Sequence, residues 1–161
     1  MLMIAACTST PAPDENTLPP APERQSTLTA LFDRIGGEES AGRKAAGEAA
    51  RLSASDHRFF ASLWGTRSSE PALAWRLGDA FSDARKHEES FSWYQRAFRV
   101  VPAHDTRRAY LRYEMAEECL ALGKAQDAVN LLANRLDPAP LPEDLRAKYD
   151  ALLDTAAKAS R

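Results

Sequence analysis

Chemistry in a chain depends first on its nucleophiles, its imidazoles and its carboxylates, and here they are sparse. The sequence holds three His and two Cys. His87-Glu88-Glu89-Ser90-Phe91 begins as a helical zinc site would, but Phe91 stands where a second His is needed four residues on. Cys119 falls at an apolar position of a helix, where a thiol behaves as a small hydrophobe. There is no Gly-rich phosphate loop and no Ser, His and Asp set that could form a catalytic triad. His57 opens a helix and reads as a solvated first-turn residue. The expectation is a protein that is not an enzyme, with no catalytic residue, no metal and no cofactor.

The bulk composition supports the same direction. At 161 residues with 44% hydrophobic content, the chain is expected to form one domain with a tail. A net charge of -2 gives no basic excess for nucleic acid. No apolar run approaches the ~20 residues that span a bilayer. Cys7 and Cys119 lie in contrasting contexts and are not expected to pair.

The elements that would position any functional side chain come from a repeat. Leu77, Gly78, Phe81, Ser90, Tyr94, Ala97 and Pro102 each precede, by 38 positions, one of Met115, Ala116, Cys119, Ala128, Leu132, Arg135 and Pro140. A shared offset over chemically similar residues points to one helical hairpin written twice. Ser69 is expected to cap the first helix, with Pro71 in its opening turn. Gly78 in a helix interior sacrifices ~1 kcal/mol relative to Ala, and is tolerable where a neighbouring helix packs close. The second helix of the first hairpin is expected from about His87 to Val101. Gly123 marks the turn of the second hairpin.

These positions resemble the tetratricopeptide repeat, whose signature runs Trp-x2-Leu-Gly-x2-Tyr, Ala-x3-Phe and Pro on a period of about 34 residues. The matching residues are Ala74-x2-Leu77-Gly78-x2-Phe81, Ser90-x3-Tyr94, Ala97 and Pro102. Ala74 stands in the Trp slot, with Trp75 one place on. The second copy matches less closely, and Arg135 breaks its small-residue pattern. Four residues, Asp105 to Arg108, account for the longer period. Being close to one helical turn, they are expected to lengthen the following helix, with Asp105 or His104 near its start. The resemblance implies an all-α fold: a short α-solenoid of helical hairpins, with repeats at about 71–104 and 105–142. A capping helix is expected at 142–160, its apolar face formed by Leu145, Tyr149, Leu152, Leu153 and Ala156.

Before the repeats, Ser26 is expected to cap a helix over Thr27–Ile35 that Gly36-Gly37 ends. A second helix is expected over Glu38–Leu52, with Ala41, Ala45, Ala46, Ala49 and Leu52 on one narrow face. A third runs from about Ser55 to Trp64, capped by Ser53 or Ser55, with Phe59, Phe60, Leu63 and Trp64 as its stripe.

The resemblance also implies a function. First helices of such hairpins line a concave groove that holds a partner segment. The implied groove residues are Trp75, Asp79 and Ser82, then Tyr113, Glu117 and Leu120 at the same offset, with Tyr110 one turn earlier. The alternative reading makes Trp75 and Tyr113 core residues packed on the N-terminal helices. Asp79 and Glu117 would repel a C-terminal carboxylate, so a chaperone-tail receptor is disfavoured.

The N-terminus carries a second resemblance. Ile4-Ala5-Ala6-Cys7 is similar to a bacterial lipoprotein lipobox, which implies lipidation of Cys7 and anchoring to a membrane. Residues 1–7 depart from the pattern in having no basic n-region. Either translation starts upstream of Met1 or the signal is not functional as written. Residues 8–25 carry five of the ten prolines, and read as a disordered tether able to reach about 55 Å when extended. Residues 26–161 would then be the helical domain. The expected protein is a scaffold on the bacterial cell envelope, at the periplasmic side of the outer membrane. It would aid assembly of a larger complex, as pilotins do. The alternative is a soluble cytoplasmic adaptor or an accessory subunit of an enzyme complex.

Overall fold

The computed structural model describes residues 19–133 and 140–161, and across them the protein is all-helical. Cys7, most of the proposed tether and Arg135 lie outside the described residues.

The eight helices are α1 (Pro22–Ile35), α2 (Glu39–Ala49), α3 (Ala54–Ser62), α4 (Pro71–Asp83), α5 (His87–Val100), α6 (Arg107–Ala121), α7 (Ala125–Ala133) and α8 (Glu143–Ala159). Each forms because apolar residues recur at helical spacing. On α1, Leu28, Leu31, Phe32 and Ile35 are all buried, as their spacing requires. The helix starts earlier than expected, however. Pro22 opens it, the place where a missing N–H is harmless, so residues 22–25 belong to the helix rather than to a tether. Ser26 is therefore inside α1 and caps nothing.

Two other expectations about local structure also shift. On α2 the inward face runs through Gly42, Ala45, Ala46 and Ala49, while Ala41 is exposed. Gly42 is needed there because the Arg76 guanidinium passes beside it to donate to the carbonyls of Ile35 and Gly37. At α4 the N-cap residue is Glu70, not Ser69, and no side chain caps the helix. Ser53 does cap α3, accepting from the Asp56 amide at 3.2 Å.

The hairpins α4/α5 and α6/α7 share one turn. Arg85 (φ 56°) and Gly123 (φ 72°), 38 positions apart, both lie in the left-handed region. The amide of Lys86 donates to Phe81 O at 2.9 Å, and that of Lys124 to Cys119 O at 2.8 Å. The amide of Arg85 donates to Ser82 O, and that of Gly123 to Leu120 O. This is the same Schellman closure twice. Between the hairpins, the four extra residues divide: Arg107 and Arg108 extend α6, while Asp105 and Thr106 stay in the turn. Asp105 accepts from the Arg107 amide at 2.9 Å and so serves the helix start.

Helices pack in the order α1, α2, α4, α5, α6, α7, α8, each against the next. The short α3 stands outside that order. It lies beside α1, where Phe60 meets Phe32; Phe60 also meets Trp93 of α5, His57 meets Phe81 of α4, and Trp64, just past the helix end, meets Trp93. Two apolar clusters result, one over α1 to α5 that also takes in Leu111 and Met115 of α6, and one over α6 to α8, and Phe91 and Leu131 touch both.

Candidate functional site

Every residue expected in a groove lies on α4 or α6. Gly78 sets how closely α5 lies on α4. A Cβ there would run into the Tyr94 ring, so the missing side chain lets α5 lie directly on α4. Tyr94 then passes across α4 and donates its hydroxyl to Asp79 at 2.9 Å. Ser90, fully buried, donates to the Gly78 carbonyl at 2.9 Å, which satisfies its hydroxyl. One glycine thus fixes a hydrogen-bonded crossing under the site.

Trp75 is half-buried, and its ring stands 6.5 Å from that of Tyr110. Tyr113 does not meet Trp75. It packs 6.4 Å from Tyr149 of α8 and donates to Glu117 at 2.9 Å. Tyr110 donates to Asp144 of α8 at 2.7 Å. Trp75 and Tyr113 are therefore equivalent in a specific way: each presents its ring to an aromatic residue on the next helix of the face. Ser82 and Leu120 are half-buried beside the turns, and Glu117 is exposed. These rings serve packing between α4, α6 and α8, and they also border open surface. A cleft of about 180 Å³ opens beside Trp75 and Asp79, closed on the other side by Glu39 and Arg43 of α2.

The electrostatics of this face are acidic. Burial raises the Asp79 carboxyl above its usual range, although Tyr94 and Arg43 (4.0 Å away) oppose the shift. Glu114 was not foreseen from the sequence. Its carboxyl is pushed up to about 7, first by burial and then by the charges of Glu117, Asp79 and Glu118, with Lys148 pulling the other way. Tyr113 is pushed up to about 12 by burial and by Glu117. Deeper in, Glu118 is almost fully buried and pairs with His87 Nδ1 at 2.6 Å. Only the spacing of three acids over α6, Glu114, Glu117 and Glu118, could have signalled this cluster, and such runs usually form a solvated face.

His57 differs from its expected solvated state. Its Nε2 accepts from Trp93 Nε1–H at 3.2 Å, its ring lies 4.8 Å from Phe81, and burial depresses its pKa. Cys119 is buried, and burial pushes its thiol up, away from the thiolate a nucleophile needs. Among the described residues no group of three or more His, Cys, Asp or Glu could hold a metal ion. No described helix is long and apolar enough to cross a membrane.

No protein-family model, curated protein or solved structure matches this chain.

Proposed function

We propose that the chain is a scaffold of the tetratricopeptide kind, which holds an extended segment of a partner protein on the α4–α6 face. The observation that carries this reading is the repeated hairpin: one turn geometry, met twice 38 residues apart, that places Trp75 and Tyr113 alike on successive first helices. The serial packing of α4 through α8 supports a short solenoid, with α8 as its cap. Half-buried Trp and Tyr side chains give a partner large contact area at little cost in side-chain freedom. The envelope assignment rests on Ile4-Ala5-Ala6-Cys7 alone. In that reading acylated Cys7 anchors the protein and the Pro-rich stretch holds it off the membrane.

Both halves are open to test. Replacing Trp75 and Tyr113 together by Ala should abolish co-purification of the native partner while circular dichroism keeps its helical signal. A collapse of helicity would assign the rings to the core instead. Mass spectrometry of the protein extracted from native membranes should find an acylated N-terminal Cys7, and an unmodified Met1 would remove the tether.

A further inference from the structure

The two hairpins differ around the residues that meet His57. In the first hairpin, Phe81, Lys86, Glu89 and Trp93 surround the imidazole of His57, which comes from the preceding helix α3. Phe81 lies 4.8 Å from that ring, and Trp93 donates its indole N–H to it. The Lys86 ammonium sits over Phe81 at 5.8 Å, and the Glu89 carboxylate acts on the His57 charge. The space is filled by three rings.

At the 38-residue offset these four positions become Cys119, Lys124, Asp127 and Leu131. Here the preceding helix is α5. Gln95 lies 38 positions after His57 but does not line the cleft, whose wall on this side is Phe91 of α5. The two charged rim residues are retained in kind, Lys for Lys and Asp for Glu. The rings of Phe81 and Trp93 have become the smaller Cys119 and Leu131. The result is an open cleft of about 410 Å³ lined by Phe91, Cys119, Leu122, Lys124, Asp127 and Leu131. That is a size at which small organic groups are held. Its floor is apolar: Cys119 and Phe91 border it, and the Cys119 thiol is kept neutral by burial. Such a volume within otherwise close packing forfeits dispersion contacts that the first hairpin keeps.

We propose that this cleft between α5, α6 and α7 is a docking notch for one aromatic side chain of a partner protein, entering between Phe91, Cys119 and Leu131. The occupant follows from the first hairpin, where rings fill the corresponding space. An edge-to-face contact with Phe91 would orient the ring. Lys124 and Asp127 at the mouth suit the polar backbone on either side of it. The notch is separate from the Trp75 face, so a failure of one leaves the other standing. It rests on the scaffold reading only in taking the occupant to be a protein side chain.

The test uses the full chain, labelled with ¹⁵N, and N-acetyl-L-tryptophanamide as probe, with N-acetyl-L-alaninamide as control. Saturable shifts are expected at the amides of Cys119, Lys124, Asp127 and Leu131 with the aromatic probe alone. Leu131→Trp and Cys119→Phe restore the rings of the first hairpin from two directions, and each should weaken the probe at least about tenfold. Leu131→Trp alters a half-buried position, so it answers the question even if Cys119→Phe overpacks. Equal binding to the filled variants, shifts centred on Trp75 instead, or no difference between the two probes would each overturn the proposal. Concentration-dependent dimerisation that Leu131→Trp removes would make the occupant a second copy of this chain, and would overturn the assignment to a different protein.

Discussion

Gly78 is where a single atom has the widest consequences. Ala is the better helix former by ~1 kcal/mol, so propensity alone favours Gly78→Ala. The Tyr94 ring decides against it, because the new methyl would occupy the space of the ring and the ring is fixed at its far end by Asp79. Overpacking of this kind typically costs about 1–3 kcal/mol, and the net should be a loss measurable as a lower urea midpoint. Arg85 gives the opposite expectation. It holds φ 56° at the turn where the second hairpin places Gly123. A left-handed non-Gly residue costs roughly 1–2 kcal/mol, part of which Gly returns as chain entropy. Arg85→Gly should therefore stabilise the protein by about 0.5–1 kcal/mol in the same urea titration, and no gain would mean that the Arg85 side chain contributes there. Gly78 and Gly123 were legible in the sequence, because a glycine at a motif position marks a close approach or a turn. Glu114 was not legible, since its pKa is raised first by burial and then adjusted from other helices, upward by Asp79 and downward by Lys148.

At the level of elements, α3 is the piece whose role the sequence conceals. Its apolar stripe is plain, but nothing in a single strand of letters says that His57 will accept from a tryptophan 36 residues away. The periodicity that reveals a helix is silent about which polar group will be drawn in with it. The same limit applies to α1, where a proline read as part of a linker proved to be the first residue of a helix. His57 yields a pH dependence with a definite sign. Burial is the main cause of its lowered pKa, Arg96 and Lys86 reinforce it, and Glu89 opposes it. The fold favours the neutral ring, so the unfolded chain takes up its proton first, near pH 6.5. The stabilisation is complete above that value and is lost as the pH falls through the lower folded pKa. The wild-type urea midpoint should thus drop between pH 7 and pH 5 by more than that of His57→Gln, which keeps an acceptor for Trp93 but does not titrate. Hydrogen exchange should place the loosening in α3. Parallel pH profiles for the two proteins would show that His57 stays solvated enough to titrate normally.

Across the whole molecule, stability depends on each hairpin finding a neighbour. The helices pack serially, and the second apolar cluster has few residues of its own beyond α6, α7 and α8. Ala109, Ala116, Cys119 and Ala128 supply little volume, so Leu145 and Tyr149 of α8 provide much of the apolar mass that covers them. Tyr110 and Tyr113, read from the sequence as groove residues, are part of the same contact through Asp144 and Tyr149. The capping helix was visible in the sequence as an amphipathic stretch, whereas the tyrosines' double duty appears only once α8 is set beside α6. Burying a large side chain is worth about 1.5–3 kcal/mol, so removing α8 forfeits on the order of 3–6 kcal/mol from Leu145 and Tyr149 alone. Domains of this size retain only about 5–15 kcal/mol in total. A chain ending at Pro140 should therefore lose its cooperative thermal transition or show a strongly reduced Tm, with hydrogen exchange fastest in α6 and α7. Leu145→Ala tests the same contact without truncation and should lose about 2–5 kcal/mol. If α6 and α7 instead keep their protection in both proteins, then α8 lies on the array without supporting it, and the stack would have to be held from its α1–α5 end.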